Sequence, residues 1–158
     1  MIMEKQKLKT LVVRSVAFGH NGNIPLRFTC EGENINPPIE ISNVPAETET
    51  LALIMEDPDA PRGIFVHWLM WGLAPHSPIV EKTNQGISGT NSFGKIGYGG
   101  PCPPSGTHRY YFRVFALDNS PDLEPRADKD TLLDAMRGHI IAKGELMGLY
   151  SKKNKSNL

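Results

Sequence analysis

Glycine and proline interrupt this chain so often that few long helices can form. The 158 residues include 15 glycines and 13 prolines, the two residues that a helix interior tolerates least. Between the interruptions lie short apolar runs bounded by turn residues, a pattern typical of β-strands. The sequence therefore predicts a mainly β fold.

Seven segments have the length and the apolar pattern of strands. The runs 50–56 and 67–74 are almost continuously apolar, as expected for strands covered on both faces. The run 108–117 is the longest of the seven. The other four are 11–18, 27–30, 39–42 and 145–150.

One helix is predicted near the end of the chain. Asp128 or Asp130 can cap its N-terminus, and Gly144 can end it. Gly138 lies inside this segment and lowers its helix propensity by about 1 kcal/mol relative to Ala. The apolar residues that follow the helical period are Leu132, Leu133, Met136, Ile140 and Ile141.

The composition is that of an ordinary globular chain, with 39% apolar and 22% charged residues. Seventeen basic and 17 acidic residues balance, which argues against a nucleic-acid partner, because nucleic-acid binders usually carry a basic excess. The length predicts a single domain over 1–158, with a core of about 11–150 and a polar tail at 151–158.

Neither a signal peptide nor a membrane span is predicted. Arg14 breaks the apolar stretch near the N-terminus, and the longest apolar run, 64–74, is too short to cross a bilayer. We therefore expect a cytoplasmic protein. In that compartment Cys30 and Cys102 are expected to be reduced thiols, although the sequence alone leaves a disulfide between them open.

A first group of polar residues follows the predicted strand 50–56. The sequence there is Asp57-Pro58-Asp59-Ala60-Pro61, with His67-Trp68 shortly after. Positions 51, 53, 55 and 57 share one face of a strand, so an apolar face ends in the carboxylate of Asp57. The alternative is that Asp57 only accepts hydrogen bonds from its own turn, as Asp before Pro commonly does.

A second group lies where a long glycine- and proline-rich loop, 86–106, meets the strand 108–117. The sequence from Gly99 is GGPCPPSGTHRY. His108 and Tyr110 share a strand face and are expected to lie roughly 7 Å apart. A histidine beside a rigid loop with free N–H groups can form an anion pocket. The alternative is a histidine satisfied within the core.

The two groups together, DPDAP followed by HW and then GGPCPPSGTHRY, closely resemble the phosphatidylethanolamine-binding protein family in its bacterial and archaeal, Raf-kinase-inhibitor-like branch. The resemblance extends over about residues 13–150. It implies a large antiparallel Greek-key sheet packed with a smaller sheet and one or two short helices. Members are described as lipid-headgroup binders, kinase-pathway modulators and serine-protease inhibitors.

The resemblance also implies a pocket for a small phosphate-like anion or a phosphoethanolamine headgroup. Many animal members have glycine directly before the Pro-Pro pair, whereas this chain has a cysteine there, whose side chain changes the pocket wall. By motif match the ligand-binding residues are Asp57, Asp59, His67, Cys102, Pro104, His108 and Tyr110.

The resemblance leaves a second kind of function open. The chain could inhibit or modulate a protein partner, a serine protease or a kinase, through exposed loops such as 62–65 and 83–93. A homodimer is also expected from the family. Neither a cofactor nor an enzymatic reaction is expected.

Two further functions are weakly supported by the residues. Asp57, Asp59, His67 and His108 include enough ligand types for zinc, but no pair has the close spacing of common zinc motifs. Ser105 lies near His108 in sequence, but it is not in the turn that exposes a hydrolase nucleophile. We therefore expect neither a metal site nor a catalytic serine.

Overall fold

The computed structural model describes residues 8–152, which form nine strands, one α-helix and one 3₁₀ turn. The predicted polar tail lies mostly outside these residues. The strands are β1 (Lys9–Thr10), β2 (Val12–Arg14), β3 (Gly22–Asn23), β4 (Glu40–Ser42), β5 (Thr50–Asp57), β6 (Phe65–Leu73), β7 (Ile87–Ser88), β8 (Thr107–Leu117) and β9 (Ile140–Ser151); the 3₁₀ turn is Leu26–Phe28 and the helix α1 is Lys129–Met136.

Seven strands form the large sheet, in the order β1-β9-β8-β5-β6-β7, with β3 also beside β9. Strands β5, β6 and β7 are antiparallel neighbours, and β8 returns to lie beside β5. This arrangement is a Greek key. The short strands β1 and β3 run parallel to β9, so the sheet is mixed rather than wholly antiparallel. Strands β2 and β4 form the smaller antiparallel sheet.

Both faces of the large sheet are covered, and each covers its own apolar core. One core contains Leu53 and Met55 of β5, together with residues of the small sheet such as Val13. The other contains Ala52 and Ile54 and is covered by α1. All eight residues of β5 are buried, which confirms the prediction that this apolar run is covered on both faces.

The helix ends earlier than the apolar period predicted. Asp128 caps it, because its carboxylate accepts a hydrogen bond from the Thr131 N–H at 2.9 Å. Gly138 has a φ of 82°, in the left-handed region that ends helices. Ile140 and Ile141 therefore belong to β9, not to the helix. Their spacing fits a helix, but pairing with β8 decides the conformation.

Two of the predicted strands are also different in the structure. The segment 27–30 is not a strand: Leu26–Phe28 forms a 3₁₀ turn, and the Thr29 hydroxyl donates to the Leu26 carbonyl at 2.9 Å. Of the segment 11–18, only Val12–Arg14 is a strand. In both places local hydrogen bonding replaces the extended pairing that a short apolar run predicted.

Cys30 and Cys102 are bonded to each other, with 5.5 Å between their Cα atoms. The expectation of reduced thiols was wrong. The two residues are 72 positions apart, and only the tertiary fold brings the 3₁₀ turn against the glycine-rich loop. Disulfides persist mainly in oxidising compartments and in hyperthermophiles, so the cysteines give no support to a reducing compartment.

None of the helical segments found in residues 8–152 has the length and hydropathy needed to span a bilayer.

Candidate functional site

A cavity of about 170 Å³ opens where the ends of β5, β6 and β8 meet two loops. It brings together the two groups of polar residues that are separated in the sequence. Its walls are formed by Asp57, Ala60, Pro61, Phe65, His67, Phe93, Cys102, Pro103, Pro104, His108 and Tyr110.

The most buried polar pair in the cavity wall joins the two groups. His108 Nδ1 lies 2.6 Å from Asp57 Oδ2, and the two side chains are 9% and 4% exposed. Because an ionised carboxylate only accepts hydrogen bonds, His108 donates through Nδ1 and keeps Nε2 for another partner. Asp57 Oδ1 also accepts the N–H of Asp59 at 2.7 Å. Asp57 therefore both caps its own turn and holds a histidine.

A β-bulge brings His67 to this side of the sheet. Met55 pairs with Trp68 whereas the next residue, Glu56, pairs with Val66. His67 is thus one extra residue on β6, and such bulges redirect side chains. An unbroken register would have placed His67 opposite Glu56, on the face covered by α1.

The backbone fixes which nitrogen of His67 can meet a ligand. Nδ1 lies 2.7 Å from the Gly99 carbonyl oxygen, so Nδ1 carries a hydrogen and donates it. Nε2 of the neutral ring is then an acceptor. Burial lowers the pKa of His67, although the Gly99 carbonyl and the charge of Asp57 oppose this effect. The neutral ring is favoured near pH 7.

Aromatic rings surround His67. The ring centres of Phe65, Phe93 and Tyr110 lie 4.9, 5.5 and 5.2 Å from its own. Sequence reasoning missed Phe65 and Phe93, and also Ala60, Pro61 and Pro103. The two-residue period of β6 could have identified Phe65, two positions before His67. Nothing local identifies Phe93, which reaches the cavity from a loop.

Tyr110 keeps its hydroxyl hydrogen over the physiological range. Burial, followed by the negative charge of Asp57, raises the pKa of Tyr110 well above its usual value. The backbone N–H of Cys102, near the Tyr110 hydroxyl, opposes this rise. The ring stacks on His108 with 6.4 Å between centres. Tyr110 thus contributes an uncharged polar group to the wall.

The glycines of the loop allow close packing against the protein itself. A Cβ on Gly100 would lie 2.4 Å from the Phe28 carbonyl oxygen, and the Gly100 N–H donates to Asn34 Oδ1 at 2.8 Å. A Cβ on Gly99 would lie 2.5 Å from the ring of Phe93. Gly99 and Gly100 therefore allow the loop to pack closely against the cavity wall and the 3₁₀ region.

Asp59 lies outside the cavity wall. Its carboxylate accepts from Arg109 Nη2 at 2.7 Å, Arg109 Nε at 2.9 Å and the Arg109 N–H at 2.9 Å. These hydrogen bonds lower the pKa of Asp59 to about 2. Asp59 braces the turn after β5 against the start of β8. Ser105 is exposed and also lies outside the wall.

The cavity wall contains no arginine or lysine. Its titratable groups are Asp57, His67, His108 and Tyr110, so it carries one negative charge when both imidazoles are neutral. Across residues 8–152, no group of three or more His, Cys, Asp or Glu side chains is arranged to hold a metal ion. The arrangement suits a small polar ligand that brings its own positive charge or a proton.

The chain matches known proteins over most of its length. The sequence model described as "Phosphatidylethanolamine-binding protein" matches residues 14–151. A "UPF0098 protein" of Methanothermobacter thermautotrophicus is 45% identical, over 89% of this chain and 98% of that protein. A "UPF0098 protein" of Archaeoglobus fulgidus is also 45% identical, over 94% of this chain, but the match spans only 54% of that protein.

Two solved structures have the same fold. A phosphatidylethanolamine-binding protein homologue from Chlamydia trachomatis superposes with a TM-score of 0.88 at 42% identity, covering 92% of this chain and 99% of that one. YbcL of E. coli, described as a new member of the mammalian family, has a TM-score of 0.83 at 26% identity, covering 90% and 99%. The chain therefore belongs to the phosphatidylethanolamine-binding protein family.

Proposed function

We propose that this protein binds a small phosphate-bearing ligand of the phosphoethanolamine type in the cavity between β5, β6 and β8. The observation that carries the proposal is the buried pair of Asp57 and His108, 2.6 Å apart, in the wall of that cavity. Its volume of about 170 Å³ is below the ~300 Å³ at which pockets for drug-sized ligands begin, so it suits a headgroup.

The charges of the wall favour a ligand that carries both signs. A phosphate alone would meet the carboxylate of Asp57 with no arginine or lysine beside it. Protonation of His67 or His108, or an ammonium group on the ligand, would offset that repulsion. Phosphoethanolamine supplies the ammonium group itself, which can face Asp57 while the phosphate faces His108.

The lining supports binding rather than catalysis. No serine or threonine lies in the cavity wall, and Cys102 is held in a disulfide. Those are the side chains that most often serve as nucleophiles beside a histidine. The Asp57–His108 pair then acts to position a ligand.

Calorimetric titration of phosphoethanolamine and of inorganic phosphate tests the proposal. The variant His108→Ala should weaken phosphoethanolamine binding at least about tenfold, since it removes the imidazole that faces the phosphate in the proposed orientation. His139→Ala is the matched control, because His139 pairs with Asp118 at 2.8 Å on the exposed surface. It should bind like the wild type. Failure of the wild type to bind at millimolar ligand would contradict the proposal.

The pH dependence tests the assignment of charges. Inorganic phosphate should bind more tightly as the pH falls and the imidazoles gain protons, whereas phosphoethanolamine should show a flatter profile. Asp57→Asn should weaken phosphoethanolamine and leave phosphate unchanged or tighter. Identical pH profiles for the two ligands would contradict the assigned orientation.

A second candidate function is inhibition of a protease or kinase through the loops at the cavity mouth. Ile64, on the loop before β6, and Phe93, on the loop after β7, are 57% and 44% exposed, and exposed apolar side chains are common in protein interfaces. Ile64→Ser and His108→Ala should be assayed against a panel of serine proteases and kinases. Inhibition that only Ile64→Ser removes would favour this function over headgroup binding.

A further inference from the structure

The Cys30–Cys102 disulfide joins a residue of the cavity wall to a residue at the protein surface. Cys102 is part of the wall, whereas Cys30 is an exposed residue at the end of the 3₁₀ region. One end of the bond therefore lies at the surface of the protein. Exposed disulfides are easier to reduce than buried structural ones, and are more often regulatory.

This disulfide is a main attachment of the wall segment 102–106. The residues just before it are held independently: the Cys30 N–H donates to the Pro101 carbonyl at 3.1 Å, and the Gly100 N–H donates to Asn34. Pro103 and Pro104 have no N–H to donate. Among the described residues, 102–106 form no backbone–backbone hydrogen bond outside the strands.

Cys102 also lies close to the residues that would hold a ligand. Its backbone N–H is near the Tyr110 hydroxyl in the cavity wall, and the ring of Tyr110 stacks on His108 with 6.4 Å between centres. The position of Cys102 thus fixes both the proline wall and the surroundings of the Asp57–His108 pair. Releasing its sulfur would remove the only covalent cross-link of the segment.

We propose that reduction of the Cys30–Cys102 bond loosens the 102–106 wall and weakens ligand binding, so that the redox state regulates the cavity. The inference rests on the function proposed above. In the reaction the Sγ–Sγ bond breaks, and a dithiol delivers two electrons and two protons. Two protein thiols form, and the dithiol becomes a disulfide.

Affinity and reduction are then coupled in both directions. If the reduced protein binds more weakly, bound ligand must make the disulfide harder to reduce by the same factor. The coupling is a property of this bond alone, because the chain contains only two cysteines. Two independent measurements can therefore test one quantity.

The first measurement is the affinity for phosphoethanolamine of the oxidised protein and of the protein reduced with dithiothreitol. We expect about tenfold weaker binding after reduction, as a preorganised wall becomes mobile. The double variant Cys30→Ser/Cys102→Ser is the control: it should bind like the reduced protein and should not respond to dithiothreitol. Circular dichroism establishes that each form keeps its β-sheet.

The second measurement needs no variant. The midpoint potential of the disulfide is determined in dithiothreitol buffers with and without saturating phosphoethanolamine. A tenfold coupling corresponds to a shift of about 30 mV to more negative potential for this two-electron couple. A shift of that sign and size supports the inference.

The outcomes separate this inference from the function on which it rests. Equal affinity of the oxidised and reduced forms, or an unchanged midpoint, overturns the redox inference and leaves the binding function intact. Unfolding on reduction also overturns it, because the bond is then structural. Absence of binding to the oxidised protein overturns the binding function and this inference with it.

Discussion

Glu56 and Asp57 are neighbours on β5 and both are buried, yet they face opposite sides of the sheet with opposite results. Glu56 accepts from Arg113 Nε at 2.9 Å and from Lys129 Nζ at 2.6 Å. Asp57 accepts from His108 and from its own turn, and no arginine or lysine lines its cavity.

The difference shows why one buried carboxylate only stabilises the fold whereas the other can also contact a ligand. A buried charge requires partners, and two cations satisfy Glu56 completely. Because Lys129 is the first residue of α1, that pairing also fastens the helix to the sheet. Asp57 has a single titratable partner and an open side, so a ligand can complete its surroundings.

The largest expected effect comes from removing Glu56, the buried carboxylate that is paired with two cations. Glu56→Ala leaves Lys129 without its carboxylate partner and should lower the free energy of unfolding by about 2 kcal/mol. This is less than the roughly 3–5 kcal/mol for fully buried pairs, because both cations reach solvent. Phosphoethanolamine affinity should not change. Urea unfolding and calorimetry measure the two quantities.

Glu145→Ala is the control for that prediction. Glu145 also pairs with Arg113, at 3.1 Å, but it is exposed, so its loss should cost less than about 1 kcal/mol. Similar destabilisation by both variants would contradict a special role for Glu56. Weakened ligand binding in Glu56→Ala would contradict the separation of the two faces.

An intermediate effect concerns the pH dependence of stability, through His67 in the cavity wall. The pKa of His67 is lowered by burial, so the folded protein takes up a proton at His67 less readily than the unfolded chain. Stability is therefore complete above the ordinary pKa of about 6.5 and falls as the pH drops below it. His67→Gln should lose less stability than the wild type between pH 7 and 5, as measured by thermal unfolding. Parallel curves for the two proteins would rule out this role of His67.

The smallest expected effect concerns Asp59, which lies near Asp57 but outside the cavity wall. Its pKa is lowered to about 2 by Arg109, so its stabilisation is present above the ordinary pKa of about 3.8 and is lost as the pH falls through 2. Asp59→Asn should cost roughly 0.5 to 1 kcal/mol at neutral pH, as expected for a surface ion pair. Unfolding experiments from pH 7 to 2 should show the two proteins converging. A constant difference down to pH 2 would contradict the assigned pairing.

Local periodicity predicted part of the site's geometry. The two-residue period placed Asp57 at the end of an apolar strand face, and His108 and Tyr110 on one face of another strand; the structure has both arrangements. These predictions succeeded because alternation along a strand depends only on the backbone of that strand. The burial of both faces of the run 50–56 could be predicted for a similar reason, since it follows from the apolar residues of that strand alone.

Predictions that depended on a partner strand were less successful. The period of Ile140 and Ile141 fits a helix, but both belong to β9, where Ile140 pairs with Leu117 of β8. The side of the sheet that His67 faces depends on a bulge set by the register of β6 against β5. Asp59 shares the motif of Asp57, yet a backbone N–H and a guanidinium from β8 turn it away from the cavity.

The sequence by itself determined the mainly β architecture, the strand faces and the two groups of residues that bear the family's motifs, since each follows from local conformational preference and residue chemistry. Only the tertiary structure decided which buried carboxylate is satisfied, which face His67 takes and that Cys30 is bonded to Cys102. These features join positions as far as 72 residues apart. Such contacts are selected by the packing of the whole chain, and no local pattern encodes them.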